Sequence, residues 1–136
     1  KAGFITPVAY DEAECIQNLV FVPKPDGGVR VCVDFTTLNK ITISDTASVD
    51  AVQDIMDAVR FDKPYKIVVD LKWGYWHLWV REEDRLKTCF YGADGELYAW
   101  NVMAFGFKNA PAHFRKFMQF ALGGLVGVHI YFDDLI

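Results

Sequence analysis

The sequence predicts an α+β domain with a split β-α-β layout, an antiparallel sheet carrying helices on one face. Three observations point there. Strand-like alternation and helix-like spacing succeed one another along the chain. Turn-forming clusters punctuate it at Pro25-Asp26-Gly27-Gly28, Ala93-Asp94-Gly95 and Gly123-Gly124. From residue 49 onward the order reads helix, strand, strand pair, helix, strand. That order suits helices segregated to one face of an antiparallel sheet.

Each element has a local reason. Leu19–Pro23 is apolar. Beyond the Pro-Asp-Gly-Gly turn, Val29, Val31, Val33 and Phe35 alternate with Arg30, Cys32 and Asp34, which predicts a hairpin with one face buried. Val49, Val52, Met56 and Val59 recur at helical spacing, with Asp50, Asp54 and Asp57 facing away and Ser48 as the N-cap. Lys66–Asp70 reads as a short buried strand ending on an acid, broken at Trp73-Gly74, and Tyr75–Val80 reads as extended. A second hairpin joins Lys87–Tyr91 to Leu97–Trp100. Asn109 is placed to cap a helix with Pro111 in its first turn, where a missing N–H costs nothing. Its apolar face is Phe114, Phe117, Met118, Ala121 and Leu122, and Gly123-Gly124 ends it. Val126–Tyr131 is the last strand.

At 136 residues, 52% of them hydrophobic and 15% aromatic, the chain has enough apolar mass for one globular core. It has no apolar run of about 18 residues, so no transmembrane helix is expected. The start, Lys1–Ile5, does not read as a signal peptide. Cys15, Cys32 and Cys89 form no C-x-x-C pair, and His77, His113 and His129 lack zinc spacing. A reducing compartment and no structural metal are expected. Fourteen Lys and Arg against 18 Asp and Glu give a net charge of −4, which argues against a self-sufficient nucleic-acid binder. Clustered basic residues can still line a local groove.

The chemistry concentrates in acids. Tyr131-Phe132-Asp133-Asp134 lies between apolar segments, which predicts a tight hairpin with carboxylates at its tip. Adjacent carboxylates repel, and a divalent cation reverses that cost. Alone, such a pair is most often a solvated turn. If the strands ending at Asp70 and Tyr131 lie side by side, Asp70 comes to rest beside Asp133. Three carboxylates from two strand ends then suit two Mg²⁺ ions and the phosphates of a nucleotide.

Five blocks, in order, resemble the reverse transcriptase domain of gypsy-class LTR retrotransposons and pararetroviruses. Phe21–Arg30 resembles the fingers hairpin. Cys32-Val33-Asp34-Phe35 with Leu38-Asn39-Lys40 resembles the next block. Val69–Trp76 resembles the first catalytic motif, Val102–Phe114 the "vMPFGl-NAPa-F" block, and Tyr131–Asp134 the Y-x-D-D box. The resemblance implies an RNA-directed DNA polymerase with a fingers region and a ferredoxin-like palm. Residues 1–64 would be mainly fingers and 65–136 mainly palm, with some return to the fingers at about 80–100.

The implied roles follow the motifs. Asp70, Asp133 and Asp134 would be catalytic acids and, with the Leu71 carbonyl, ligands of two Mg²⁺ ions, or of Mn²⁺ in their place. Lys24 and Arg30 would grip the triphosphate, helped by backbone N–H groups of Trp73 and Gly74. Tyr75 would exclude a 2′-hydroxyl and select dNTPs, Phe105 would pack near the same sugar, and Gly106 would lie on the template side. The implied partners are an RNA/DNA or DNA/DNA primer–template, dNTPs, and thumb and ribonuclease H regions downstream in one polyprotein. No membrane partner is implied, and the location would be a virus-like particle or the host cytoplasm.

The sequence departs from the family at Trp73 (usually a small Ser), Ala104 (usually Pro), Thr36 (often basic) and Ser44–Val49, where a Tyr-Pro-Leu-Pro stretch is typical. These changes, with a chain that ends at Ile136 before any thumb, raise the alternative of a decayed or co-opted, non-catalytic palm-like binding module. A polyprotein fragment with little polymerase activity of its own is expected, its hairpin nearly without a return strand. Nucleotide cyclases or primase-like enzymes could share the acids, but have no reason to share the fingers hairpin or Asn109-Ala110-Pro111-Ala112.

Overall fold

The structure is a computed structural model, and it describes residues 3–25, 27–45, 56–57, 64–131 and 134–136. The helix expected around Val49–Val59 lies outside the described residues except for Met56 and Asp57, which are helical. The chain divides into two compact units. One comprises residues 1–43 and 75–110, the other residues 44–74 and 111–136.

The first unit holds a five-stranded sheet. Its strands are β1 (Ile5–Pro7), β2 (Ile16–Pro23), β3 (Val29–Asp34), β5 (Cys89–Tyr91) and β6 (Leu97–Trp100), in the order β1-β6-β5-β2-β3. The expected hairpin is β2–β3, paired from Asn18↔Asp34 to Pro23↔Val29. The second expected hairpin is β5–β6. One pair is parallel, Ile16↔Cys89 and Gln17↔Phe90, so the sheet is mixed. The core gathers Val33, Phe35, Phe90 and Ala104, with Leu19, Leu38, Tyr98, Trp100 and Phe107 packed against it. Each fully buried large side chain contributes about 1.5–3 kcal/mol. Ala104 is buried, so the small side chain fits the space it occupies.

Burial of the first hairpin is graded rather than complete along one face. Val33 and Phe35 are buried at its base, but Val31 and Val29, on the same side of the strand, are both 57% exposed. The alternation predicted the pleat correctly, but the sheet's packing partners reach only the base.

β1 and the helix that follows β3 are among the elements not evident from the sequence. β1 pairs with β6, and buried Asn101 anchors its approach by donating its side-chain amide to the Gly3 carbonyl (2.9 Å) and Thr6 Oγ1 (3.0 Å). Helix α1 (Thr36–Ile41) follows β3 directly. Asp34 starts it, accepting from the Thr36 N–H (2.9 Å) and the Thr36 hydroxyl.

The segment Tyr75–Val80 is not extended throughout. Gly74–His77 forms a 3₁₀ turn, and only Leu78–Val80 runs beside residues 101–103, through Val80 N–H to Asn101 O (2.9 Å) and Met103 N–H to Leu78 O (2.8 Å). Tertiary packing overrides the strand preference of these aromatics: Trp76 lies against Phe4, Trp100 and Phe105, at centroid separations of 4.9, 6.0 and 6.2 Å. A short helix α2 (Glu82–Arg85) follows.

The second unit contains β4 (Val69–Asp70), β7 (Ile130–Tyr131) and β8 (Asp134–Leu135), in the antiparallel order β4-β8-β7. This corrects two expectations. The neighbour of β4 is β8, not the strand ending at Tyr131. The return strand, expected to be nearly missing, is the central strand of this sheet. It pairs Tyr131↔Asp134 and Ile130↔Leu135 on one side, and His129 and Ile136 exchange backbone hydrogen bonds of 2.9 Å each. Both outer strands are also shorter than expected. Ile67 and Val68 precede β4 and are 75% and 67% exposed, and Val126 is fully exposed.

Helix α3 (Ala110–Leu122) forms as its spacing predicts. Its buried stripe is narrow: Ala110, Phe114 and Met118, at i, i+4 and i+8, while Phe117 stays 38% exposed. No helix among the described residues is long and apolar enough to cross a membrane.

Candidate active site

The acids come first. Asp70 and Asp134 are direct register partners across the β4–β8 ladder. Side chains of opposed residues share a face of the sheet. Asp70 and Asp134 therefore share one face, and Val69 and Leu135 share the other. Asp70 is exposed and Asp134 half-buried. Among the described residues neither carboxylate meets a cation or a hydrogen-bond donor. Asp133, expected beside Asp70, lies outside the described residues; the acid opposite Asp70 is Asp134. The apolar face is different in kind. Val69, Leu122, Leu125, Val128 and Leu135 line a cavity of about 440 Å³, with Lys66 and His129 among its other lining residues.

The segment after Asp70 is a tight turn. The Leu71 carbonyl, expected as a metal ligand, accepts the Gly74 N–H at 3.1 Å, which leaves it one lone pair for another partner. The same bond engages one of the two N–H groups expected to meet phosphate. Trp73 occupies the turn's third position at φ 59°, the one non-glycine residue with positive φ among the described residues. That conformation ordinarily selects Gly or Asn. Its ring is half-exposed, and the Lys72 ammonium lies 4.6 Å from the ring centroid. Gly74 is buried, and a Cβ there would stand 3.0 Å from Phe114 Cζ. A Cβ here would need the Phe114 ring to give by a few tenths of an ångström, a packing role for glycine that the sequence did not reveal.

In the first unit the fingers-type hairpin carries Lys24 and Arg30. Lys24 is exposed at the hairpin turn, where its N–H donates to Gly28 O (2.8 Å) and its carbonyl accepts the Gly27 N–H (3.1 Å). Arg30 pairs with Val22 through the β2–β3 ladder; its side chain lies outside the described residues. At the hairpin's base Asp34 is held below the usual carboxylate range, first by the Thr36 hydroxyl and then by the Thr36 N–H. Thr36, where the family often has a basic residue, serves in this local bond.

Tyr75 and Phe105, both expected at the sugar of an incoming nucleotide, meet edge to face with centroids 5.2 Å apart. Phe105 remains 42% exposed, so its ring has a free side. Gly106 follows at φ 100°, and a Cβ on it would lie 3.2 Å from the Val33 carbonyl oxygen. The residue that sequence reasoning passed over is Asn39. It appeared only as part of a matching block, yet its side-chain amide bonds to the backbone on both sides of Phe107.

The donor set fits a hard divalent cation. Two carboxylates from separate strands, facing each other without a balancing cation among the described residues, supply the oxygen ligands that Mg²⁺ or Mn²⁺ takes. Like charges directly opposed weaken a ladder, and a cation between them removes that penalty. No group of three or more His, Cys, Asp or Glu residues placed to hold a metal occurs among the described residues.

Residues 22–136 match the family model described as reverse transcriptase (RNA-dependent DNA polymerase). The chain is 36% identical over 111 residues to polyprotein P3 of Commelina yellow mottle virus, covering 81% of this chain and 6% of that one. It is 34% identical over 118 residues to the retrovirus-related Pol polyprotein from transposon opus of Drosophila melanogaster, covering 84% and 12%. The native prototype foamy virus protease-reverse transcriptase superposes at a TM-score of 0.80 and 31% identity, over 98% of this chain and 17% of that one. A foamy viral protease-reverse transcriptase in complex with dsDNA superposes at 0.85 and 26% identity, over 98% and 27%. The chain therefore belongs to the reverse transcriptase family, whose members use divalent metal ions. It spans between 6% and 17% of the length of the first three curated relatives it matches.

Proposed function

We propose that this chain supplies the acid-bearing and nucleotide-binding parts of an RNA-directed DNA polymerase. Such an enzyme adds nucleotides from dNTPs to a primer 3′-hydroxyl on an RNA or DNA template. The observation that carries this reading is the register pair Asp70↔Asp134, two carboxylates on one face of a sheet, without a cation partner among the described residues, within the family's motifs.

The residues divide the work. Asp70, Asp134 and Asp133 hold two Mg²⁺ ions, or Mn²⁺, with the Leu71 carbonyl as an additional ligand. When bound, such ions favour the ionised primer hydroxyl and offset charge on the leaving pyrophosphate. The carboxylates act as oxygen donors and need no proton of their own. Lys24 and Arg30 bind the β- and γ-phosphates, the ammonium as a point charge and the guanidinium as a two-pronged donor. The N–H groups of Trp73 and Gly74 assist once the turn bond to Leu71 is shared. Tyr75, backed by Phe105, blocks a 2′-hydroxyl, and Gly106 admits the template-side backbone.

Residues 1–64 are assigned mainly to fingers and 65–136 mainly to palm, with a return to fingers at about 80–100. The compact unit of residues 1–43 and 75–110 supports a return of that kind, somewhat wider. The partners are a primer–template and dNTPs, with thumb and ribonuclease H regions in the same polyprotein, as the polyprotein relatives suggest. The net charge of −4 suits a unit that shares its nucleic-acid grip with other regions.

Primer extension by the enzyme containing this chain is the test. Asp70→Asn or Asp134→Asn should each lower the rate by about 100-fold or more, the scale of removing several kcal/mol of charge stabilisation. Extension at the wild-type rate by Asp70→Asn contradicts the assignment.

A further inference from the structure

We propose that Asn39 is a positioning residue that sets the nucleotide-selecting wall by clamping the loop from Phe105 to Lys108. The proposal rests on the polymerase reading above and assigns selectivity to a residue well outside the acid motifs.

The geometry is local and specific. Asn39 Nδ2 donates to the Gly106 carbonyl at 2.8 Å, and Asn39 Oδ1 accepts the Lys108 N–H at 2.9 Å. One side-chain amide thus mimics a strand's peptide group, bonding a C=O and an N–H two residues apart. Only Asn has both a donor and an acceptor at this reach: Asp loses the donor, and Gln moves the amide outward by a methylene.

A second bond set closes the loop back onto α1. Lys108 Nζ donates to the Thr42 carbonyl (2.9 Å) and the Asn39 carbonyl (3.4 Å), at the helix's C-terminal end. A cation there satisfies carbonyls without intrahelical partners and meets the negative end of the helix dipole. Asn109 Nδ2 adds a bond to the Ile43 carbonyl (2.8 Å). The Lys108 ammonium is therefore committed to α1 rather than presented to phosphate.

The clamp has something to hold. Gly106 sits at φ 100° with its Cα close to the Val33 carbonyl, so the loop reverses at a point only glycine tolerates. On one side of that reversal Phe105 lies edge-on to Tyr75. On the other, Phe107 stacks on buried Phe35 at 4.0 Å between centroids. Fixing the peptides of Gly106 and Lys108 fixes which way Phe105 projects, and with it the backing of Tyr75. A ring packed on Tyr75 and Trp76 but open on its other side relies on a fixed backbone for the accuracy that discrimination of one hydroxyl needs.

The experiment compares wild type with Asn39→Ala, Asn39→Asp and, as an independent break of the same loop, Lys108→Met. Two readouts are taken on the enzyme containing this chain. Amide hydrogen exchange at Lys108 reports the clamp without reference to activity. Equilibrium binding of dCTP against CTP, which differ only in the 2′-hydroxyl, with Mg²⁺ and a dideoxy-terminated primer–template present, reports selectivity. Asn39→Ala should lower Lys108 amide protection at least about tenfold and narrow the dCTP-to-CTP preference by about tenfold, with thermal unfolding still cooperative. Asn39→Asp should match it, and Lys108→Met should narrow the preference less. Unchanged Lys108 protection in Asn39→Ala overturns the clamp. Lost protection with an unchanged dCTP-to-CTP ratio overturns its role in selectivity and leaves a structural bond. A wild type that protects the Lys108 amide but prefers neither nucleotide contradicts the polymerase reading and the selectivity claim together, and leaves the hydrogen-bond geometry standing.

Discussion

Asp70 and Asp134 face each other directly across the β4–β8 ladder, carboxylate opposite carboxylate, with no cation between them among the described residues. Opposed like charges cost a sheet a few tenths to about 1 kcal/mol. With divalent ions chelated, Asp134→Asn should therefore raise stability by about that amount. Thermal unfolding in chelator checks this, and Mg²⁺ should reverse the order by stabilising the wild type more than the variant.

Trp73 holds a left-handed backbone in a turn that normally takes Gly or Asn. Trp73→Gly and Trp73→Ala both delete the ring and its Lys72 contact, so their difference isolates the backbone. Gly should be the more stable by about 1 kcal/mol, the reverse of their usual order in regular structure. Urea midpoints of the two variants decide it.

Gly74 lets α3 approach the turn. Its missing Cβ would stand 3.0, 3.4 and 3.5 Å from three atoms of the fully buried Phe114 ring. Gly74→Ala should cost about 1–3 kcal/mol through overpacking. In the double variant with Phe114→Leu the combined loss should be smaller than the sum of the two single losses. Strict additivity in denaturant unfolding would remove this contact from the account.

Asp34 predicts an acid-side pH dependence. Its folded pKa lies below its ordinary value of 3.8, chiefly because the Thr36 hydroxyl donates to it. The unfolded chain then binds the proton more readily, so this stabilisation is present above the ordinary value and lost as pH falls through the folded one. Wild-type stability should drop more steeply than that of Asp34→Asn below about pH 4, and the two should run parallel above about pH 5. Parallel curves throughout the acid range would show that the Thr36 bonds carry no linkage.

Elements with a strong local signal were legible in the sequence. The β2–β3 hairpin follows from alternation around Pro-Asp-Gly-Gly, and α3 follows from the spacing of Phe114 and Met118 with a Gly-Gly stop. What the sequence hid depends on distant contacts. Tyr75 and Trp76 have strand-type side chains, but the packing of Trp76 on Phe4, Trp100 and Phe105 goes with a 3₁₀ turn. β8 is two residues long, too short to carry periodicity, yet it pairs on both edges. The acids were recognisable by motif, whereas the partner of Asp70 was a matter of register, which a one-residue slip reassigns. Asn39 gave no signal beyond its block, since its role lies in two backbone bonds to residues 67 and 69 positions away.

Mn²⁺ binding to the enzyme containing this chain, followed by electron paramagnetic resonance, tests the central claim most directly. Wild type should bind Mn²⁺ in competition with Mg²⁺, and Asp70→Asn and Asp134→Asn should each weaken binding by about tenfold or more. Wild-type affinity in both variants would mean that the facing carboxylates hold no metal.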